Sequence, residues 1–127
     1  MKLVYPVIFT KQPEGGYMAY APDLEINTQG EDLPDAIAMA RDAIGLVGID
    51  IEDDGKPFPT PSEHLPCPAG SVVSLVDVDL MAYRRANEQK TVRRNVTLPS
   101  WLNAAANEAG LNVSAVLQSA LKQQLNF

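Results

Sequence analysis

Lys90–Leu102 reads KTVRRNVTLPSWL, and two adjacent arginines stand in it although the 127-residue chain carries a formal net charge of −6. Val92, Val96 and Leu98 fall on one parity, the period of a β-strand, and Arg94 shares it. Arg93, Asn95 and Thr97 fall on the other. Pro99 is placed for the first position of a helix, and Leu102, Ala105, Ala106 and Ala109 follow at helical spacing. Gly110 suits the residue just past the helix end. Asn112 suits the cap of a second helix with the apolar stripe Val113, Val116, Leu117, Ala120, Leu121 and Leu125.

A strand-helix-helix unit of this size cannot bury enough apolar surface to fold alone. A lone strand also leaves its backbone groups unpaired. Both problems vanish if two chains pair their strands antiparallel and interlock their helices, so a homodimer through the C-terminal strand is expected. Arg93, Asn95 and Thr97 then project from a two-stranded ribbon that fits the DNA major groove. Arginine there pairs with guanine, asparagine with adenine, and threonine offers a hydroxyl and a methyl. The second helix begins at Asn112, Val113 and Ser114, where free amides and the dipole's positive end favour a phosphate. Arg94 is expected to reach the same backbone phosphates. A strand-helix-helix used for dimerisation alone is the plainer alternative, but it leaves the local positive charge unexplained.

The stretch VRRNVTLPSWLNAAANEAGLNVSAVLQSALKQQL resembles a ribbon-helix-helix DNA-binding domain. That resemblance implies base-reading roles for Arg93, Asn95 and Thr97 and a phosphate clamp at Asn112–Ser114.

The rest of the chain has the opposite charge. Residues 1–80 hold 4 Lys/Arg and 14 Asp/Glu, a net of −10, whereas residues 81–127 hold 6 and 2, a net of +4. Such asymmetry points to two parts with different partners. Lys2–Thr10 and Tyr17–Ala21 read as strands joined by the turn Pro13-Glu14-Gly15-Gly16. Pro6, lacking an N–H, prefers an edge or a bulge. Pro22-Asp23 breaks the second strand, and Glu25–Gln29 reads as a third, ended by Gly30. Asp32 caps a helix with Leu33, Ala36, Ile37, Ala40, Ala43, Ile44, Val47 and Ile51 on one face, while Gly45 and Gly48 mark a close packing contact. Glu52-Asp53-Asp54-Gly55 ends it. Residues 56–70 hold five of the ten prolines and read as a surface connection. Ser71–Leu80 is a strand with apolar residues on both faces, which favours a central position. Met81–Gln89 is a linker or a helical extension. The expected class is α+β, with an N-terminal β-β-β-α-β domain over 1–80, a linker over 81–89 and a ribbon-helix-helix over 90–127.

The N-terminal part is similar to the HicB antitoxin family. The likeness rests on YPVIFT, on GGYMAYAPDLEINTQGEDLPDAIAMARDAI with its P-D-L and T-Q-G, and on P-T-P-S at residues 59–62. Pro34 and Asp35 depart from the more common acidic pair, which bears on the helix's first turn only. The resemblance implies a partial RNase H-like fold and a small basic HicA-type toxin that cleaves mRNA, which the antitoxin masks while repressing its own operon. Pairing of the N-terminal domains as well would give a tetramer. Many members carry a helix-turn-helix instead, so the ribbon is read from the residues here. The other reading is a ribbon-helix-helix repressor whose N-terminal domain senses a small ligand.

Catalysis is not expected. Asp77 and Asp79 share a strand face, and Glu52-Asp53-Asp54 offers further carboxylates for a two-metal nuclease. The first strand, however, has no acid where such a site needs one. His64 and Cys67 alone make no metal site, and Cys67 has no base in view. The acids near Glu31, Asp32 and Asp35, or at Glu52–Asp54, are candidate toxin contacts, though caps and solvated faces explain them equally well. Trp101 reads as packing. No cofactor or metal is expected. No apolar run approaches the ~20 residues that span a bilayer, the N-terminus does not read as a secretory signal, and the single cysteine fits a cytoplasmic location.

Overall fold

The computed structural model describes every residue but Gln89. The chain divides into two compact units, Met1–Lys90 and Thr91–Phe127. The first holds strands β1 (Lys2–Lys11), β2 (Tyr17–Ala21), β3 (Ile26–Gly30) and β4 (Ser71–Asp79), with helices α1 (Leu33–Asp53) and α2 (Leu80–Asn87). The second holds α3 (Ser100–Glu108) and α4 (Val113–Leu125). This is a mixed α+β chain with one antiparallel sheet, ordered β3-β2-β1-β4.

Strand alternation places the core. Leu3, Tyr5, Val7 and Phe9 of β1 share a face with Ala19, Ala21, Ile26, Val76 and Val78, and all are buried. α1 covers that face with the small residues Ala36 and Ala40 and with Ile44. Asp32 caps α1 by accepting from the Asp35 amide at 2.8 Å, and the Asp35 carboxylate accepts from the Glu31 amide at 2.8 Å, two orphan donors satisfied reciprocally. At the other end Gly55, at φ 66°, closes α1 with bonds from its own amide to Glu52 and from the Lys56 amide to Ile51.

Three glycines set the helix against its neighbours. A Cβ on Gly30 would lie 2.3 Å from the Ala36 backbone nitrogen. One on Gly45 would meet the Tyr83 ring at 2.6 Å, and one on Gly48 would meet Leu3 Cδ1 at 2.8 Å. The close contact expected at Gly45 and Gly48 is therefore with Tyr83 of α2 and with Leu3 of β1.

The 56–70 connection has few internal bonds but is tied down at two points. The Tyr5 hydroxyl donates to the Pro59 carbonyl at 2.7 Å. Asp23 accepts from the Ser62 amide at 2.9 Å and from its hydroxyl at 2.5 Å. YPVIFT, P-D-L and P-T-P-S, distant in sequence, thus meet in one place.

Four expectations need correction, and one open alternative is settled. β4 is an edge strand, not a central one. Its apolar residues fall on both faces because Val76 and Val78 pack under α1 while Leu75 stays 68% exposed. Glu25 is not in a strand: it closes a short 3-10 turn over Pro22–Leu24 at φ 54°, and β3 starts one residue later. Of the two readings of 81–89, the helical extension holds over residues 81–87, where Asp79 caps α2 at the Ala82 amide and Arg84 pins it to α1; Gln89 lies outside the described residues. Pro99 sits one residue before α3, at its N-cap position and without a side-chain cap bond, instead of at the first helical position. Residues 91–98 are not assigned as a strand in the single chain, since a strand needs a ladder partner. Pro6, by contrast, fits its place. β1 pairs with β2 only from Ile8 to Lys11, so Pro6 precedes that ladder.

Two outcomes follow. Gly30→Ala forces backbone against backbone and should cost about 3 kcal/mol, the upper end of overpacking penalties, in denaturant titration. Gly48→Ala meets yielding methyl groups and should cost less. Burial, aided by Asp23, raises the Tyr5 phenol above its ordinary value, and burial with Asp42 raises that of Tyr83. The folded state therefore holds these protons more tightly, so their contribution is full below about pH 10 and is lost as pH rises beyond it. Melting temperature should fall above that pH, and the fall should be shallower in Tyr5→Phe.

Candidate nucleic-acid interface

Thr91–Phe127 contains no buried residue; every position is exposed except the half-buried Ala106 and Leu117. Its helices are nonetheless well terminated. Gly110, at φ 67°, ends α3 with bonds from its amide to Asn107 and from the Leu111 amide to Ala106. The Asn112 side chain accepts from the Ala115 amide at 3.1 Å and starts α4. Local chemistry thus forms the helices, but no core holds them. Val92 is 82% exposed and Val96 51%, and Leu98, Val113, Val116, Leu121 and Leu125 are exposed as well.

Arg93, Asn95 and Thr97 are exposed along the extended 91–98 segment. Arg93 and Arg94 line a groove of about 540 Å³ with Ser114, Leu117, Gln118 and Leu121, so the two arginines and the start of α4 come together. Asn95, Thr97, Asn112 and Val113 lie outside that groove. Asn112 already uses its carboxamide oxygen for the cap.

In the first unit many of the acids have structural partners. Arg84 lies between Glu52 at 2.9 Å, Asp53 at 2.6 Å and Glu88 at 2.8 Å. These bonds, Asp53 first and then Glu88, hold its guanidinium still further above its ordinary range. Sequence reading missed this hub, because nothing local links residue 84 to residues 52 and 53. Asp77 pairs with Arg41 at 3.8 Å, Asp79 caps α2, and Asp42 accepts from the Tyr83 hydroxyl at 3.0 Å. Among the described residues no three His, Cys, Asp or Glu side chains gather as metal ligands, and Cys67 is an exposed free thiol. Glu31 and Asp35 line an open recess of about 470 Å³ with Gly16, Tyr17, Gln29, Gly30 and Met39. Among the described residues no helix is long and apolar enough to cross a membrane.

No family model matches the chain. Over 60 residues it is 43% identical to Antitoxin HicB of Escherichia coli K12, a match covering 46% of this chain and 43% of that protein. The chain therefore spans less than half the length of that curated relative in the match. The fold is similar to the crystal structure of the Burkholderia pseudomallei antitoxin HicB, with a TM-score of 0.56, 25% identity and 98% and 97% of the two chains covered. It is also similar to a chain of a toxin–antitoxin complex from Streptococcus pneumoniae, with a TM-score of 0.60, 24% identity and 98% and 99% covered. The chain is thus similar to HicB antitoxins in sequence over the 60 matched residues and in fold over nearly its whole length.

Proposed function

We propose that this chain is the antitoxin of a type II toxin–antitoxin pair, masking a basic HicA-type ribonuclease through Met1–Lys90 and repressing its own operon through Thr91–Phe127. The likeness to HicB antitoxins supports the first role. The single observation carrying the second is that Thr91–Phe127 has two helices, the second capped by Asn112, no buried residue and an unpaired segment bearing Arg93, Asn95 and Thr97.

A second copy supplies what is missing. Pairing residues 91–98 antiparallel makes the strand ladder, and stacking α3 and α4 of two chains buries Val92, Val96, Leu98 and Leu121. The product is a ribbon-helix-helix dimer. Its outward row would enter the major groove, Arg93 on guanine, Asn95 on adenine, Thr97 beside them. Asn112 positions the clamp through its cap, so the phosphate falls to the amides at Val113 and Ser114, with Arg94 near. This division of the chain, acidic 1–80 joined to basic 90–127, suits a basic protein on one side and nucleic acid on the other. The acidic unit is read as a partial RNase H-like domain that binds without catalysis: many of its carboxylates serve as caps and ion-pair partners. Such a repressor acts in the cytoplasm. The small-ligand reading has only the open recess beside Gly16 and Gly30 to support it.

Arg93→Ala should weaken operator binding by about 1–3 kcal/mol and relax preference at one base pair, as read by gel shift against base-substituted operators. An unchanged affinity would remove the base-reading assignment. Co-expression with the neighbouring small basic reading frame should yield a stable complex and relieve that protein's toxicity. Failure of both would remove the antitoxin assignment.

A further inference from the structure

We propose that α2 is a salt-sensitive latch: docked on α1 it keeps the connection between the two units short, and on release it hinges just after Leu80 and adds residues 81–87 to that connection. The device belongs to the chain's own conformation and stands whatever either unit binds.

α2 cannot hold its shape unaided. Its 8 residues fall short of the ~12–15 at which an isolated helix becomes marginal in water. Two sets of contacts keep it formed, and they are separate. The first fixes Leu80, whose side chain is buried and lies over Gly48, and whose amide donates to the Met1 carbonyl at 2.9 Å. Met81 is then exposed, and attachment resumes a turn later at Tyr83 and Arg84.

This second set is the latch. The Tyr83 ring sits where a Cβ on Gly45 would approach within 2.6 Å, and its hydroxyl donates to Asp42 at 3.0 Å. Arg84 binds Glu52 at 2.9 Å and Asp53 at 2.6 Å at the end of α1, and Glu88 at 2.8 Å just past the end of α2. Neither side chain belongs to the fully buried core, which Leu80 closes. Residues 81–87 can therefore come away as one piece while the sheet and α1 stay packed, a local opening of low cost.

Chain length gives release its consequence. Thr91 is four residues beyond Asn87 and eleven beyond Leu80. A fully extended chain thus spans at most about 14 Å from the first and about 38 Å from the second. Opening more than doubles the reach between the units and lowers the effective concentration at which one meets whatever the other holds.

The input is ionic. The Arg84 side chain is only 18% exposed, but Glu52 and Asp53 face water, so dissolved ions screen the pairs. The Tyr83 contact on Gly45 is steric and gives a handle that salt does not touch.

Hydrogen exchange on the full-length protein reads the latch at the amides of residues 84–88, the last of which donates to the Arg84 carbonyl. In wild type these amides should be protected at low salt and exchange several-fold faster at about 0.5 M salt. Arg84→Met should exchange about tenfold faster at low salt and lose the salt dependence. Gly45→Ala, which displaces the Tyr83 ring, should speed exchange while keeping it. The β1 amides should stay as protected as in wild type in both variants. A second readout uses the one cysteine, Cys67, and the one tryptophan, Trp101, which lie in different units. Time-resolved energy transfer from Trp101 to a fluorophore on Cys67 should show a broader spread of distances in Arg84→Met than in wild type. Wild-type amides at 84–88 that exchange in step with β1, or that ignore salt, would overturn the proposal. So would wild-type exchange in either variant, or faster exchange with unchanged energy transfer, which would mean that the helix frays in place.

Discussion

The close approach of α1 to the sheet governs Met1–Lys90. Gly30 lets the first turn of the helix lie on the end of β3, and Ala36 and Ala40 keep it close thereafter. Gly45 and Gly48 then admit Tyr83, Leu3 and Leu80. Apolar burial stabilises in proportion to area, but only where surfaces meet without voids. Larger residues at these places would lift the helix and open the space over Tyr5, Phe9 and Val76. The same spacing brings α2 against α1, and the Arg84 hub with Glu52, Asp53 and Glu88 holds it there. Exposed ion pairs contribute little, but a half-sheltered arginine held by three carboxylates is a network with fixed geometry.

The two units solve the problem of stability differently. Met1–Lys90 has a buried cluster from every strand and from α1. Thr91–Phe127 has correct caps and correct stops but nothing inside. Capping and propensity contribute on the order of 1 kcal/mol each and cannot offset backbone ordering by themselves. A unit of this kind lacks the buried surface to fold alone, which is the ground for the proposed pairing. The two parts carry opposite net charges, which suit partners of opposite electrostatic sign.

Much of the candidate interface was legible in the residues. The alternation of Val92, Val96 and Leu98 against Arg93, Asn95 and Thr97 is visible without coordinates, as are the Gly110 stop and the Asn112 cap. The folded chain adds that Arg93, Arg94 and Ser114 line one groove. Other features could not be seen. Arg84 finds Glu52 and Asp53, and Tyr5 and Asp23 find the 56–70 connection, across separations of more than thirty residues. No periodicity encodes such pairs, because each depends on where whole elements come to rest.

By itself the sequence determined the local elements: strands from alternation, helices from the 3.6-residue stripe, and ends from Asp32, Gly55, Gly110 and Asn112. Those are short-range effects, settled within a turn or a strand. Strand order was decided only by the tertiary structure. Apolar residues on both sides of Ser71–Asp79 read as a central strand, yet the strand lies at the edge, with Val76 and Val78 under α1 and Leu75 facing out. Hydrophobicity says that a side chain seeks cover. Which surface supplies the cover depends on the packing of distant segments and, for an edge strand, on what else is present to pair with it.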